Sequence, residues 1–436
     1  MILRDPVHGL VAFEGLAGRI VERLLQTREV QRLRNVRQLG LTSLVFPGAE
    51  HSRFAHSLGA AHVMVRLLTR LKTVQTALPA ELRIDDESEA DAIAASLLHD
   101  LGHGPFSHLF EEVIPDARRH EDWTLDVVLD PTTDVNRALR TFSAGMPERV
   151  AALINGQHRL RYLARCVSGT LDADRCDYLL RDSHMTGVGY GVYDLDWLLQ
   201  ALAFGELQSA GEWVLAIEGR KGLPPIEGFF LARQFMYQQV YHHKATRAAE
   251  SLIRAIFIRL AELVRDGDQS VPIPPALRNA AVGDPVSLGQ YLALDDFQLM
   301  SCLRAWEQGS DAILAELTSS LAQRALPKTV PLKPGGGQSG AWAHALLRAR
   351  DVVEQHGMRA DLTVWLDVPD DVPYGEDDDD SPEGVWVVIR HQPIQRLGKC
   401  SFLLGQLRNQ RIERPRLIFP AALRTEVLAA IEGVID

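Results

Sequence analysis

The sequence has 436 residues, of which 46% are hydrophobic and 24% are charged, and its formal net charge is −11. This length exceeds one compact core of ordinary size, so we expect two or three domains, or one large helical domain with an appendage. The negative balance argues against nucleic acid as a partner, although a local basic pocket could still bind phosphates. We expect neither a signal peptide nor a membrane span, because apolar runs of the required length are missing. The four scattered cysteines form no Cys-x-x-Cys pair, which is typical of reduced thiols in a cytoplasmic protein.

Apolar residues at helical spacing dominate the first two-thirds of the chain. Ser88 suits the N-cap of one predicted helix, and Pro105 suits the first turn of another that runs to Val113. Short β-like runs lie at residues 11–13 and 212–219. The other helices are predicted over residues 17–25, 56–71, 89–100, 172–181 and, without interruption, 227–264.

The C-terminal third has a different character. Residues 327–340 are turn-rich and predict a linker or loop. Alternating apolar residues predict strands at 361–368 and 385–390, separated by a solvated, mobile loop at 369–384. The acidic run at 377–380 within this loop is interpreted as exposed charge rather than as a cation site. The segment "RPRLIFP" and a short helix at 421–431 complete the chain.

The stretch "HDLGHGPFSH" concentrates chemistry in ten residues. Neighbouring residues of a helix point about 100° apart, so His99 and Asp100 can both reach one ion at a helix end. His103 lies one turn further along the same face. The alternative is that these polar groups only cap and solvate the helix end, and the pair alone does not decide between the two.

Further ligands must therefore come from elsewhere in the chain. "HSRFAHSLG" supplies His51 and His56 upstream, and "LDADRCDYLLRD" supplies four aspartates downstream. His56, His99, Asp100 and Asp174 together would make a mixed nitrogen and oxygen site. Such a site suits Mn²⁺, Fe²⁺, Zn²⁺ or Ni²⁺ better than Mg²⁺. Spacing alone does not show that the four side chains converge.

These motifs occur in an order that resembles the HD phosphohydrolase superfamily. Over about the first 265 residues the chain is most similar to the deoxynucleoside triphosphate triphosphohydrolases, which include the human SAM-and-HD-domain enzyme and bacterial dGTPase-like relatives. Besides the HD segment, the resemblance rests on "DPVHG", "QRLRNVRQLG", "VFPGAEHSRFAHSLG", "DADRCDYLLRD" and "QVYHHK". Because this sequence begins almost at "DPVHG", we expect the SAM domain to be absent.

The resemblance implies a mainly α fold, an HD-domain helical bundle with a smaller α+β C-terminal part. We predict a catalytic core at 1–265, a helical extension at 266–326 and an α+β region at 327–436. The implied activity is metal-dependent hydrolysis of a dNTP to deoxynucleoside and inorganic triphosphate. Two alternatives stay open: another nucleotide or a single-stranded nucleic-acid end as substrate, and a non-catalytic nucleotide sensor. The resemblance further implies a nucleotide activator and a homo-oligomer, either dimer, tetramer or hexamer.

The resemblance also assigns residues. The implied metal ligands are His56, His99, Asp100 and Asp174, with Mg²⁺ accompanying the substrate phosphates. The implied catalytic groups are His103, His108, Glu111 and His120, although sequence does not tell which histidine is the acid. The implied substrate contacts are Gln38, Leu39, Arg53, Arg175, Tyr178, Asp182, Arg233, Tyr237 and Tyr241, with Lys244 near the site.

Some of these assignments have an alternative interpretation, and some positions differ from the human enzyme. Tyr237 and Tyr241 could equally form an ordinary core stripe. Arg175 replaces a lysine of the human enzyme, which keeps the charge but changes the donor geometry. Gln26 stands where the human enzyme has an aspartate that binds an activating guanine nucleotide, so we predict that this activation is lost or altered. Gln31 and Arg34 remain and could still hold phosphates of a deoxynucleotide activator.

Overall fold

The computed structural model describes residues 1–207, 211–337, 340–376 and 383–436. The chain begins with an antiparallel hairpin and continues with helices joined by short turns. Among the described residues, no helix is long and apolar enough to cross a membrane. The elements of the first 200 residues are β1 (Ile2–Asp5), β2 (Gly9–Ala12), α1 (Gly15–Leu25), α2 (Arg28–Arg32), α3 (Arg53–Val74), α4 (Asp86–Leu98), α5 (His108–Val113), α6 (His120–Leu129), α7 (Asp134–Arg140), α8 (Met146–Ile154), α9 (Arg161–Val167), α10 (Ala173–Thr186) and α11 (Leu195–Gln200).

The rest of the chain mixes helices with short strands. Its helices are α12 (Leu223–Met236), α13 (Lys244–Arg265), α14 (Pro275–Val282), α15 (Leu288–Leu292), α16 (Asp296–Glu307), α17 (Ala312–Ala322), α18 (Ala341–Gln355), α19 (Ala360–Thr363), α20 (Leu397–Cys400), α21 (Phe402–Leu407) and α22 (Arg424–Ala430). Its strands are β3 (Leu202–Leu207), β4 (Glu212–Glu218), β5 (Lys328–Pro331), β6 (Trp365–Asp367), β7 (Asp370–Asp371), β8 (Trp386–Val388), β9 (Gln395–Arg396), β10 (Ile412–Glu413) and β11 (Arg416–Phe419). The predicted fold class, mainly α with a smaller α+β part, is confirmed.

Helix α3 organises the N-terminal part, because it packs against both α4 and α10. Alanines and leucines on α4 are almost all buried, which lets this helix lie in the core. Gly59 on α3 faces α10, where an added Cβ would collide with the Asp177 carboxylate and the Arg181 guanidinium. The glycine therefore permits a close approach of α3 to α10, and this approach brings their polar residues together.

Two sheets tie the C-terminal third to the molecule. Strand β8 pairs in parallel with β4, with Trp386 opposite Ala216, and so extends the β3–β4 hairpin. A second sheet has the order β5–β11–β6 and packs with α18 and α22 around a separate apolar cluster. Strand β7 pairs with β10. The division at 265 and 326 stays a prediction.

Several predicted boundaries differ from the structure. The fourth helix starts at Asp86, and Asp85, not Ser88, is its N-cap, since the Asp85 carboxylate accepts from the Ser88 N–H at 2.8 Å. Acidic residues in the first turn favour this earlier start through the helix dipole. The helix after the HD pair begins at His108 rather than at Pro105, because Phe106 and Ser107 adopt positive φ angles of 57° and 61°.

The predicted continuous helix over residues 227–264 is wrong. It is broken after a π-helical turn, Tyr237–Tyr241, and restarts at Lys244. His243 has an extended backbone and accepts the Ala245 N–H at 3.3 Å through Nδ1, so it acts as the N-cap of α13. Local capping by a histidine thus outweighs the uniform helical composition.

Three predictions for the C-terminal third need correction. The predicted linker at 327–340 contains β5, and the predicted strand at 361–368 begins as helix α19 before β6. The predicted solvated loop at 369–384 holds Asp371, Tyr374 and Glu376 in buried positions, because β7 pairs with β10 and the Tyr374 hydroxyl donates to Glu376. The acidic run at 377–380 lies outside the described residues.

Candidate active site

Helices α3, α4 and α10 bring three predicted metal ligands together. His56 Nε2 lies 2.9 Å from Asp174 Oδ1 and 3.4 Å from His99 Nε2, and His99 Nε2 lies 3.4 Å from Asp174 Oδ1. Asp100, the fourth predicted ligand, lies close by, with Oδ1 at 3.4 Å from His99 Nε2. Its Oδ2 is ion-paired with Arg53 and lies 3.6 Å from His56 Nε2.

The donor set fits a divalent cation. His56 Nδ1 is bonded to Asp177 at 2.8 Å, and His99 Nδ1 is bonded to the Ser96 carbonyl at 3.0 Å. These partners fix each ring so that both Nε2 atoms face Asp174 Oδ1 and one another, an arrangement that favours a proton or a metal ion between them. Burial opposes a charged His56, but its hydrogen bonds with Asp174 and Asp177 raise its pKa to about 10. The cluster therefore attracts positive charge, and the ligand atoms of His56, His99 and Asp174 lie close enough together to hold a divalent metal ion.

A second cluster follows on the turn and helices after the HD pair. The His103 ring lies 3.8 Å from the His120 ring and 4.9 Å from the His108 ring, measured between centroids. Glu111 Oε1 accepts from His120 Nδ1 at 2.8 Å and lies 3.9 Å from His108 Nδ1. Glu111 therefore orients His120 more directly than it orients His108.

The three histidines of this second cluster differ in accessibility. The side chain of His108 is 66% exposed, that of His120 is 13% exposed and that of His103 is 1% exposed. Burial and the nearby Arg53 lower the pKa of His103 well below its usual value. The pKa of His108 is lowered by the protein groups that surround its ring in the cleft and by Arg53, although the side chain stays open to solvent on one side. Burial opposes ionisation of Glu111, but its hydrogen bond with His120 lowers its pKa. In the absence of substrate, the neutral imidazoles of His103 and His108 therefore lie near the ionised carboxylate of Glu111.

Asp296 on α16 holds the turn between the two clusters, a role that sequence reasoning missed. Its carboxylate accepts the Phe106 N–H at 2.8 Å and the Arg37 N–H at 3.1 Å. Ser107 Oγ accepts from Arg53 Nε at 2.8 Å and donates to the Arg37 carbonyl. These bonds stabilise the positive φ angles at Phe106 and Ser107, a conformation that is costly for residues other than glycine.

One cleft of about 510 Å³ runs past both clusters. Its volume lies in the usual range for a small-molecule site. His56, His99 and Glu111 are not among the residues that line it. The predicted site residues that line it are Gln38, Leu39, Arg53, Asp100, His103, His108, His120, Asp174, Arg175, Tyr178, Asp182, Tyr237 and Tyr241.

Tyrosines and an aspartate form the wall of the cleft on α10 and the π-helical turn. The Tyr237 and Tyr241 rings lie 5.0 Å apart, and the Tyr241 and Tyr178 rings lie 6.3 Å apart. Tyr241 Oη donates to Asp182 Oδ2 at 2.9 Å, and His51 Nε2 contacts Asp182 Oδ1 at 2.8 Å. Tyr237 and Tyr241 are the first and last residues of the π-helical turn, which lets both face the cleft, and such turns are frequent at functional sites.

Arg233 is not brought into the cleft. Its guanidinium pairs with Asp371 at 2.9 Å, donates to the Val372 carbonyl at 3.0 Å and stacks 4.4 Å over the Tyr237 ring. Its partners come from the segment that was predicted to be a solvated loop, which is why sequence gave no sign of this ion pair. Lys244, expected near the site, is exposed at the start of α13 and does not line the cleft.

Comparisons with known proteins agree with the geometry. The HD domain family matches residues 53–182. The chain is 32% identical to the uncharacterized protein YwfO of Bacillus subtilis, over 97% of this chain and 92% of that protein. It is 30% identical to the Dictyostelium discoideum homolog of the deoxynucleoside triphosphate triphosphohydrolase SAMHD1, and spans about half of that longer protein, 51%. A phosphohydrolase crystal structure from Bacteroides thetaiotaomicron has a TM-score of 0.78 at 28% identity, with 96% of this chain and 99% of that chain covered. The chain belongs to the HD-domain phosphohydrolases.

Proposed function

We propose that this protein hydrolyses deoxynucleoside triphosphates to deoxynucleoside and inorganic triphosphate. One observation carries the proposal: a single cleft of nucleotide size joins the metal-type cluster, the histidine cluster, the arginines Arg53 and Arg175, and the Asp182 carboxylate. The two clusters and the arginines suit the binding and hydrolysis of a triphosphate, and the Asp182 carboxylate suits the binding of a sugar hydroxyl. The similarity to dNTP triphosphohydrolases supports the same substrate class.

The metal is proposed to be held by His56, His99, Asp100 and Asp174. Imidazole and carboxylate donors favour Mn²⁺, Fe²⁺, Zn²⁺ or Ni²⁺, while Mg²⁺ would accompany the substrate phosphates. A divalent cation supplies Lewis-acid charge, which activates water and neutralises phosphate oxygens.

Arg53 and Arg175 are proposed to bind the phosphates. Arg53 is fixed by Asp100 and Ser107, so its guanidinium is already oriented when substrate arrives. Arg175 is held more loosely, with Nη1 at 3.4 Å from the Thr170 carbonyl and Nε at 3.8 Å from Asp172. A fixed cation beside a looser one can first bind and then close on a flexible triphosphate chain.

His108 is proposed as the acid that protonates the leaving 5′-oxygen. Water attacks the α-phosphorus, the bond from phosphorus to the 5′-oxygen breaks, and this oxygen takes a proton as the triphosphate separates. His108 is the most exposed of the three histidines, and the ring of His120, which is hydrogen-bonded to Glu111, lies 5.0 Å from the His108 ring. Bound phosphates would raise the pKa of His108, which Arg53 lowers in the free site.

The sugar is proposed to lie against Gln38, Leu39 and Tyr178, with Asp182 accepting from the 3′-hydroxyl. Tyr241, and Tyr237 behind it, would pack against the sugar or the base. A close wall at C2′ would exclude ribonucleotides. Arg233 is proposed to contribute indirectly, by holding the Tyr237 ring. The homo-oligomer and the nucleotide activator stay predictions from the resemblance.

Product analysis tests this proposal. Four dNTPs and four ribonucleoside triphosphates would be incubated with Mn²⁺ and Mg²⁺, and the products would be separated by anion exchange. We expect deoxynucleoside and triphosphate from dNTPs, little turnover of ribonucleotides, and loss of both metal and turnover in Asp100→Ala. Release of pyrophosphate together with a nucleoside monophosphate would reject the proposal, and turnover of other nucleotides or strand ends alone would favour the alternative substrates.

A further inference from the structure

His51 lies in the loop before α3, with its side chain almost completely buried against Asp182. A carboxylate can only accept, so the contact of 2.8 Å between His51 Nε2 and Asp182 Oδ1 is a hydrogen bond donated by the imidazole. The Tyr241 hydroxyl donates to the other oxygen, Oδ2, at 2.9 Å. Each oxygen of Asp182 thus has one fixed donor and keeps acceptor capacity for a further hydroxyl.

The backbone around His51 connects this contact to the rest of the cleft. The His51 carbonyl accepts the Gln38 N–H at 3.0 Å, and the Arg53 N–H donates to the Val36 carbonyl at 2.8 Å. Residues 51–53 therefore link Gln38, Asp182 and Arg53, three residues that line different parts of the cleft. A displacement of the His51 ring would move the sugar side of the cleft first.

We propose that His51 is a positioning residue that makes the site specific for nucleotides with a free 3′-hydroxyl. This inference rests on the proposed function, in which Asp182 receives that hydroxyl. The terminal torsion of an aspartate is broad and two-fold, so a carboxylate held by Tyr241 alone can turn away from the substrate. With both donors in place, the orientation of Asp182 is set before the nucleotide binds, which lowers the cost of ordering it.

The substitution series follows from which nitrogen of His51 makes the bond. His51→Gln places an amide nitrogen near the position of Nε2, whereas His51→Asn places one near Nδ1, which makes no hydrogen bond with any described residue. The two amides differ only in reach, so they form a matched pair. His158, another buried histidine, bonds the Leu160 N–H and does not line the cleft, so His158→Ala is the control for burial.

The experiment compares kcat and KM for a dNTP and for the 2′,3′-dideoxynucleotide with the same base. A hydrogen bond to a charged group is worth about 1.5–3 kcal/mol, so we expect His51→Asn to raise KM for the dNTP by about 10- to 100-fold. The dideoxynucleotide should change by less than about three-fold, so the preference for the 3′-hydroxyl disappears. His51→Gln should retain most of the preference, and His158→Ala should retain all of it.

An equal loss for both substrates, or an unchanged preference in His51→Asn, would overturn the inference. If the wild type does not hydrolyse dNTPs, the proposed function fails on its own. Calorimetric binding of the two nucleotides then decides the role of His51: a preference that the wild type shows and His51→Asn lacks supports it, and the absence of such a difference refutes it.

Discussion

The imidazole of His56 is bonded through Nδ1 to Asp177 Oδ2 at 2.8 Å, directly behind the predicted metal site. Burial would raise the pKa of Asp177, but Arg181 and hydrogen bonds with His56 and His8 hold it well below its usual range. His8 comes from the "DPVHG" segment, whose Asp5 also pairs with Arg181 at 2.8 Å. The "DPVHG" segment is thus connected to the predicted metal ligand His56 through the carboxylate of Asp177.

The first prediction concerns this carboxylate. Asp177→Asn should lower the affinity for the divalent metal by about 10- to 100-fold, because a partner behind a metal-bound histidine sets its orientation and basicity. The measurement is metal content after dialysis against graded chelator. Asp5→Asn, which also loses a contact with Arg181 but does not touch His56, is the matched control and should change the affinity by less than about three-fold. Equal metal retention in Asp177→Asn and wild type would contradict the arrangement.

The second prediction concerns Glu111. Removing its charge in Glu111→Gln should lower kcat by about 100-fold or more, with KM within a few-fold, because His120 loses the partner that orients it. Steady-state kinetics over pH 5–9 would check this. Asp126→Asn on the same helix as His120 removes a surface pair with Arg118 and should leave kcat unchanged. A kcat near the wild-type value in Glu111→Gln would contradict a catalytic role for the Glu111–His120 pair.

The third prediction uses the pH dependence of stability at Asp296. Burial raises the pKa of this carboxyl from 3.8 to about 6, so the folded state binds its proton more tightly than the unfolded state. Its contribution to stability is therefore complete below about pH 4 and is lost as the pH rises through about 6. The asparagine in Asp296→Asn does not titrate. Between pH 4 and 7 the free energy of unfolding of the wild type should therefore fall by about 3 kcal/mol relative to that of the variant.

Denaturant unfolding of both proteins across this pH range provides the measurement. A constant difference between the two, independent of pH, would mean that Asp296 is ionised throughout. At neutral pH the variant should also lose activity. The two oxygens of Asp296 each accept one N–H, from Phe106 and from Arg37, whereas an asparagine side chain has only one oxygen, so one of these N–H groups would face an NH₂ group that cannot accept it.

The fourth prediction concerns activation. Gln26 is the C-cap of α1 and carries no charge that could pair with a guanine base, while Gln31 and Arg34 are bonded to each other at 2.8 Å. We therefore expect GTP to activate less than tenfold, whereas a dNTP could still do so. A titration of activity against GTP and each dNTP would check this. Strong and selective dependence on GTP would contradict it.

Much of the candidate site could be predicted because the residue types themselves indicate what the side chains can bind. Two imidazoles and two carboxylates are a recognisable donor set, and helical periodicity placed α1, α3, α4 and α10 within a few residues of their bounds. The predicted helix bounds were wrong where a single side chain determines the backbone conformation. His243 caps a helix inside a segment that was predicted to be one continuous helix, and Asp296 stabilises positive φ angles 190 residues earlier in the chain.

Long-range pairing accounts for what sequence could not give. Arg233 was expected in the cleft, but it pairs with Asp371 instead. Asp371 is buried where β7 pairs with β10, a strand that lies more than 40 residues later in the chain. In the same way, β8 joins β4 across about 170 residues, a contact with no local signal. His51 is another such case, since nothing near it in sequence indicates a bond to Asp182.

Hydrolysis of a dNTP in H₂¹⁸O tests the central claim most directly. If water attacks the α-phosphorus and the 5′-oxygen leaves, mass spectrometry will find one ¹⁸O in the inorganic triphosphate and none in the deoxynucleoside. Recovery of deoxynucleoside monophosphate with pyrophosphate, or of ¹⁸O in the deoxynucleoside, would contradict the account.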